Sequence, residues 1–262
     1  MSKVVLCFSG GMDSTVLLYK ACFQFDEVYC LTFDYGQRHK LELDCIDYQI
    51  KAVQNSIRTK VTKKLIDVSY IRDIAPVSSL TNDSINTPDI REMAGDAQPA
   101  SYVPYRNLMF ASIACSYAES VDAEAVWLGC AQADSLAGYW DGSVEFLQSI
   151  NDLISLNRKS KIVVSAPLIN MSKKEIILYG IERNINFYKT YTCYSGKAIA
   201  DATSPSSSLR LKGFIEAGYR DPIQYIQQDK LNIIYRSNNC KYTMFDPINN
   251  QGDSGAPGDD SS

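Results

Sequence analysis

The chain has 262 residues, 45% of them hydrophobic, which suits one globular domain with a full core, or such a domain with a small appendage. No stretch approaches the ~20 consecutive apolar residues of a membrane span, and the few residues before Val4 leave no room for a signal peptide, so a cytoplasmic protein is expected. Net charge is −4, with Asp253, Asp259 and Asp260 of a Gly/Ser/Asp-rich tail supplying three of those charges, so no basic face is forced and nucleic-acid binding is not expected.

In chain order, Lys3 to Phe8 is a short apolar run that reads as a buried strand ending at a Ser-Gly-Gly turn. A helix follows from Ser14 to Phe25, then a β-branched and aromatic strand from Val28 to Phe33. Arg38 to Val53 reads as helix and Leu65 to Val68 as a third strand. From about Asp73 to Pro104 the chain is polar and aperiodic, and a connection of that length is more often a functional loop than filler. Leu108 to Glu119 reads as helix, Ala125 to Cys130 as a strand, Glu145 to Leu156 as helix and 162–164 as a strand edge. Ser172 with Glu175 three residues on has capping-box form and opens a helix to about Arg183. Residues 249–262 contain no core-forming run and read as a disordered tail.

Alternating strands and helices imply an α/β fold with a doubly wound, mostly parallel sheet, whose ligands bind beyond the carboxyl ends of the strands. Gly11 and Tyr35 each follow a predicted strand and Gly129 stands at the end of one, so all three fall on one rim. The eight cysteines include no Cys-x-x-Cys pair, and the single histidine, His39, excludes a multi-histidine metal site.

The motif with the most chemistry is Ser9-Gly10-Gly11-Met12-Asp13-Ser14. Two glycines between strand and helix let several backbone amides turn toward one point, and the helix N-terminus adds partial positive charge. Ser9 and Ser14 add hydroxyls. Asp13 is out of place in an anion site unless it holds Mg²⁺ or caps the helix. The alternative is a plain tight turn capped by Asp13 and Ser14. The segment lacks the Gly-Lys-Ser/Thr closure of kinase-type phosphate loops and the spacing of dinucleotide binders.

The run from Phe8 to Leu18 resembles the loop of the N-type ATP pyrophosphatases of the adenine nucleotide α-hydrolase-like group. Further blocks, in order, are similar to the 7-cyano-7-deazaguanine synthase family. These are Asp34-Tyr35-Gly36-Gln37-Arg38-His39, Tyr102-Val103-Pro104-Tyr105-Arg106-Asn107, Gly138-Tyr139-Trp140-Asp141 with Glu145-Phe146, Pro167 to Lys173, Thr192 to Gly196, and Leu209 to Pro222. The resemblance spans roughly residues 3–225. It implies a Rossmann-like ATP pyrophosphatase domain over 1–190 and a C-terminal appendage over 191–248. It also implies ATP and Mg²⁺ as cofactors, with 7-carboxy-7-deazaguanine and a nitrogen donor as substrates. Phe8, Ser9, Gly10, Gly11, Met12, Asp13, Ser14, Arg38, Arg106, Asn107 and Gly129 are then nucleotide-binding candidates. Ser9, Asp13 and Lys173 are catalytic candidates, and Tyr139, Asp141 and Glu145 are candidates for binding the acid. A homodimer is expected on the resemblance alone.

Two departures stand out. The family holds a structural zinc with four cysteines, and the matching positions are Cys193, Asp201, Ser204 and Ser207. Serine hydroxyls are poor zinc ligands, so zinc is expected to be absent and the segment 194–209 looser. Gly142-Ser143-Val144 also departs from the family pattern before Glu145. A specialised relative, in phage DNA modification or antiphage defence, is one expectation from these changes, with a protein amine such as an N-terminus as acceptor in place of ammonia. A non-catalytic nucleotide-binding protein is the competing reading.

Overall fold

The first strand is apolar on both sides, and in the computed structural model it lies at the centre of the sheet. The structure describes residues 1–35, 41–82, 84–86, 99–131, 139–159, 161–190 and 199–247, with the backbone alone at 41–44. Strand β1 (Lys3–Cys7) leads into helix α1 (Met12–Cys22), followed by β2 (Glu27–Asp34), α2 (Leu41–Ser56), β3 (Lys60–Asp67) and a single turn, α3 (Ile71–Ile74). Then come α4 (Arg106–Ser120), β4 (Ala125–Trp127), a 3-10 turn at Trp140–Gly142, α5 (Val144–Ile154), β5 (Val163–Ser165), α6 (Lys173–Glu182) and a 3-10 turn at Phe187–Lys189. Helices α7 (Pro205–Ala217) and α8 (Gln228–Ser237) close the described chain.

All pairings are parallel and the strand order is β3-β2-β1-β4-β5. Val4 faces Val28 on one side and Ala125 on the other. Because successive strand residues point to opposite faces, Val4 and Leu6 enter one core with Val16, Trp127, Ile176, Phe187 and Phe214. Val5 enters the other with Leu31, Phe33, Ala111, Ala114 and Ile150. The sheet is thus covered on both faces, as the sequence predicts. No described helix is long and apolar enough to cross a membrane.

The chain winds outward from β1 through β2 to β3, then returns to place β4 on the other side of β1. The loop after β1 therefore sits where strand order reverses, at the crevice such sheets use for ligands.

Several boundaries differ from expectation for physical reasons. β3 begins five residues before the expected Leu65, since it is an edge strand with exposed lysines at 63 and 64 that hide its pattern. β4 ends at Trp127 rather than Cys130, and the chain past Gly129 forms an isolated parallel bridge, Ala131 with Leu168. α1 begins two residues earlier than expected. The expected tail over 249–262 lies outside the described residues.

Helices α7 and α8 were not expected. The signal for α7 was present in Ser204-Pro205 at its start and Gly218, with φ +78°, just past its end. In α7, Arg210 is fully buried. Its Nε and Nη2 donate to the two carboxylate oxygens of Asp221 at 2.7 and 2.9 Å. Its other donors reach the Thr190 hydroxyl at 2.7 Å and the Phe187 carbonyl at 2.9 Å. Tyr225 also donates to Asp221, at 2.7 Å. This network fastens α7 to the 3-10 turn after α6 and to the chain after α7. Arg210→Ala leaves the Asp221 charge buried without its partner and should cost about 3–5 kcal/mol by urea denaturation. A loss under about 1 kcal/mol would show that the network is not what holds α7.

Candidate active site

The β1–α1 loop is built around Gly10, whose φ of +81° is a conformation that side chains rarely adopt. Gly11 is the N-cap of α1 and no side chain caps the helix, so Asp13 and Ser14 are not the caps that the plain-turn reading required. The Gly11 amide donates to Ser9 Oγ at 3.3 Å, Ser14 Oγ donates to the Gly11 carbonyl at 3.1 Å, and the two hydroxyl oxygens lie 3.1 Å apart. Phe8 and Met12 are buried beneath the loop, and the Thr32 hydroxyl donates to the Phe8 carbonyl at 3.0 Å. Gly129 faces the loop from the end of β4, where a Cβ would sit 3.9 Å from Ser14 Cβ.

Asp13 lies in the first turn of α1, and Lys173 is the first residue of α6. Lys173 Nζ donates to Asp13 Oδ2 at 2.6 Å, with only 13% of the lysine side chain exposed. A cation at a helix N-terminus opposes the helix dipole, so an anion is needed close by. Here Asp13 supplies it. Two helix N-termini, 160 residues apart in sequence, are bridged by this one pair. Asp13 Oδ1 is buried without a hydrogen-bond partner among the described residues, an uncommon and costly state for a carboxylate oxygen. The turn that presents Lys173 is fixed by a complete capping box. Ser172 N and Oγ both donate to Glu175 Oε2 at 2.7 Å, and the Glu175 amide donates back to Ser172 Oγ at 3.3 Å.

A second cluster forms at the start of α4. Tyr105 has φ +55°, which turns the chain into the helix at Arg106. Arg106 Nη1 donates to the Tyr35 hydroxyl at 3.3 Å and its guanidinium lies 5.6 Å from the centre of that ring. Asn107 donates to the Asp141 carbonyl at 3.1 Å. The Asp141 side chain is buried, and burial raises its carboxyl above the ordinary value, while Arg106 pulls it the other way. The Tyr139 hydroxyl is 2.7 Å from Ser101 Oγ, and the Trp140 ring nitrogen donates to the Tyr102 hydroxyl at 2.9 Å. Trp140 meets both Tyr105 and Phe146 edge-on. Arg106, Asn107 and Asp141 are therefore brought together, while Tyr139 is tied to Ser101. Glu145 is exposed in the first turn of α5. Arg38 and Cys193 lie outside the described residues.

At the positions matched to zinc ligands, Asp201 Oδ1 accepts from Ser204 N at 3.0 Å, Ser204 Oγ at 2.9 Å, Ser207 Oγ at 2.7 Å and Thr203 N at 3.1 Å. The hydroxyls are 2.7 Å apart. An oxygen already facing four donors, beside two neutral hydroxyls, does not fit Zn²⁺, which takes thiolate, imidazole or available carboxylate. Helix α7 begins at this cluster, so the described part of a segment expected to be loose contains a regular helix and its hydrogen-bonded start.

Residues 3–218 match the family described as "Queuosine biosynthesis protein QueC". The chain is 38% identical over 231 residues to a 7-cyano-7-deazaguanine synthase of Clostridium kluyveri, covering 86% of this chain and 98% of that one. It is 39% identical over 234 residues to a 7-cyano-7-deazaguanine synthase of Desulfitobacterium hafniense, covering 87% and 95%. Among solved structures it is similar to a 4-thiouridine synthetase in complex with RNA and ATP, at 16% identity and a TM-score of 0.48, covering 91% of this chain and 53% of that one.

Burial raises the Asp201 carboxyl, but the Ser204 amide, the Ser207 and Ser204 hydroxyls and the Thr203 amide together outweigh it and hold it below the ordinary carboxylate value. Its stabilisation is therefore complete above the unfolded value of about 3.9 and is lost as pH falls through the folded one. Asp201→Asn should lower the urea midpoint at pH 7, with the difference from the unaltered protein closing in acid, and a zinc chelator should leave both midpoints unchanged. A gap that persists in acid, or a chelator-sensitive midpoint, would contradict this.

Proposed function

The chain belongs to the queuosine biosynthesis protein QueC family, and from that premise we propose that it adenylates 7-carboxy-7-deazaguanine with ATP and converts the acid to its amide or nitrile, releasing AMP and pyrophosphate. The observation that carries the reading is the Asp13–Lys173 pair set across the uncapped N-terminus of α1. In this reading the Gly10–Ser14 amides and the hydroxyls of Ser9 and Ser14 hold the pyrophosphate portion of ATP. Lys173 turns from Asp13 to the phosphates and stabilises the charge that develops as the α–β bond breaks.

The partnerless Asp13 Oδ1 fits Mg²⁺, which takes oxygen ligands and commonly binds through one or two carboxylates with substrate phosphates and water completing its shell. Bound there, Mg²⁺ would neutralise phosphate charge. No described cluster of three or more acidic, histidine or cysteine side chains offers a protein-only cage.

A carboxylate oxygen of the acid attacks the α-phosphorus and pyrophosphate leaves. Ammonia then attacks the acyl carbon, AMP leaves carrying that oxygen, and the amide remains. The nitrile requires a second activation, at the amide oxygen. Arg106 offers a planar fork of donors for a carboxylate or phosphate, and the aromatic groups at 105, 139 and 140 offer ring surfaces beside it.

Incubation with ATP, Mg²⁺ and 7-carboxy-7-deazaguanine, with and without ammonia, followed by mass spectrometry, should show AMP, pyrophosphate and the amide or nitrile. Lys173→Ala should lower kcat/KM for ATP by about 10²-fold or more. Absence of pyrophosphate release with this acid would overturn the reading, while an accumulated adenylate that ammonia does not consume would direct the search to another amine.

A further inference from the structure

Helix α7 carries no residue of the proposed nucleotide loop, yet it packs against the residue that reaches it. We propose that Gly213 is a positioning residue for Lys173, the backstop that sets the lysine's main chain and so the placement of Nζ over the β1–α1 loop. The inference rests on the nucleotide reading of Lys173 given above.

A Cβ at position 213 would lie 2.8 Å from Lys173 Cβ, 2.9 Å from Ile177 Cδ1 and 3.3 Å from the Lys173 carbonyl carbon. Real Cβ atoms essentially never approach other heavy atoms within 3.0 Å. Two of these contacts are with the root of the lysine, not with its flexible end, so a side chain at 213 cannot be accommodated by moving Nζ alone. Glycine in the middle of a helix is less favourable than alanine, so its presence here calls for a packing reason. No unusual backbone angle supplies another: Gly213 is not among the residues with positive φ.

Neither helix can slip to relieve the contact. α7 is held from within by Arg210, one turn before Gly213, through its buried bonds to Asp221, Thr190 and Phe187. α6 is held at its start by the Ser172–Glu175 box and at its far end by Gly180, where a Cβ would lie 2.3 Å from Phe187 Cζ. Phe187 in turn meets Phe214 edge-on at 5.5 Å. The main chain at Lys173 is therefore confined by its own cap on one side and by Gly213 on the other. Nζ is left at 2.6 Å from Asp13 Oδ2.

The test is a double-mutant cycle between Gly213→Ala and Lys173→Ala, read by thermal unfolding and by titration of ATP with Mg²⁺. Lys173→Ala retains the Cβ and carbonyl carbon that meet position 213, so the steric effect of Gly213→Ala survives in both backgrounds. The loss of melting temperature from Gly213→Ala should be similar with either residue at 173. ATP affinity should instead fall about 10-fold with lysine at 173 and under about 2-fold in the Lys173→Ala background. Equal losses of affinity in both backgrounds would make Gly213 merely structural and overturn the proposal. Unchanged affinity in Lys173→Ala alone would overturn the nucleotide reading of Lys173, and the positioning role with it. If Gly213→Ala does not fold, Gly213→Ala with Ile177→Val, which removes one of the close atoms, is read by the same cycle.

Discussion

Strand β1 pairs with β2 on one edge and β4 on the other, with all strands parallel. That arrangement forces the chain to leave β1 at a point where strand order reverses, and a parallel crossover needs a helix directly after the strand. The two glycines at 10 and 11 satisfy the turn without a side chain, and α1 begins with no cap of its own. A helix N-terminus is thereby placed at the carboxyl end of β1, beside Gly129. The remainder of the site consists of groups brought to that point.

The Asp13–Lys173 pair is the clearest of these. Charges of opposite sign at two helix N-termini are not equivalent: Asp13 is favoured by the dipole of α1, whereas Lys173 is disfavoured by that of α6. The pair is partly buried, and one oxygen of Asp13 is left without a partner among the described residues. A partly buried ion pair of this kind is weak evidence for stability. In the proposed reaction it is a charge held ready for a substrate, with Asp13 and an incoming phosphate competing for Lys173 and a cation relieving Asp13. In that proposal the site is arranged for phosphate chemistry.

Much of this was legible in the sequence because it lies in local patterns. Strand β1, the Ser-Gly-Gly turn and the Ser172–Glu175 box each announce themselves within a few residues, and all three stand close to where they were expected. The ordered blocks carry the family resemblance by themselves, without any distance. What was hidden depends on contacts between distant segments. Nothing adjacent to Asp13 indicates a partner at position 173, and an isolated glycine such as Gly213 states only that something approaches, not what. Arg210 could be quoted as part of a block, but its burial against Asp221 required α7 to be placed. The first half of edge strand β3 is hidden in the sequence because its exposed lysines mask its alternation. The substitutions at 201, 204 and 207 were visible as unsuited to zinc, whereas their convergence on one carboxylate oxygen was not.

In the proposed reaction the carboxylate of the deazaguanine acid attacks the α-phosphorus of ATP at this loop, so one of its oxygens leaves in AMP. Turnover of the acid carrying ¹⁸O in both carboxylate oxygens, with ammonia present, followed by mass spectrometry of the AMP, tests it most directly. One ¹⁸O is expected in the AMP phosphate for each amide formed. Label found in inorganic phosphate, or AMP formed without label, would contradict it.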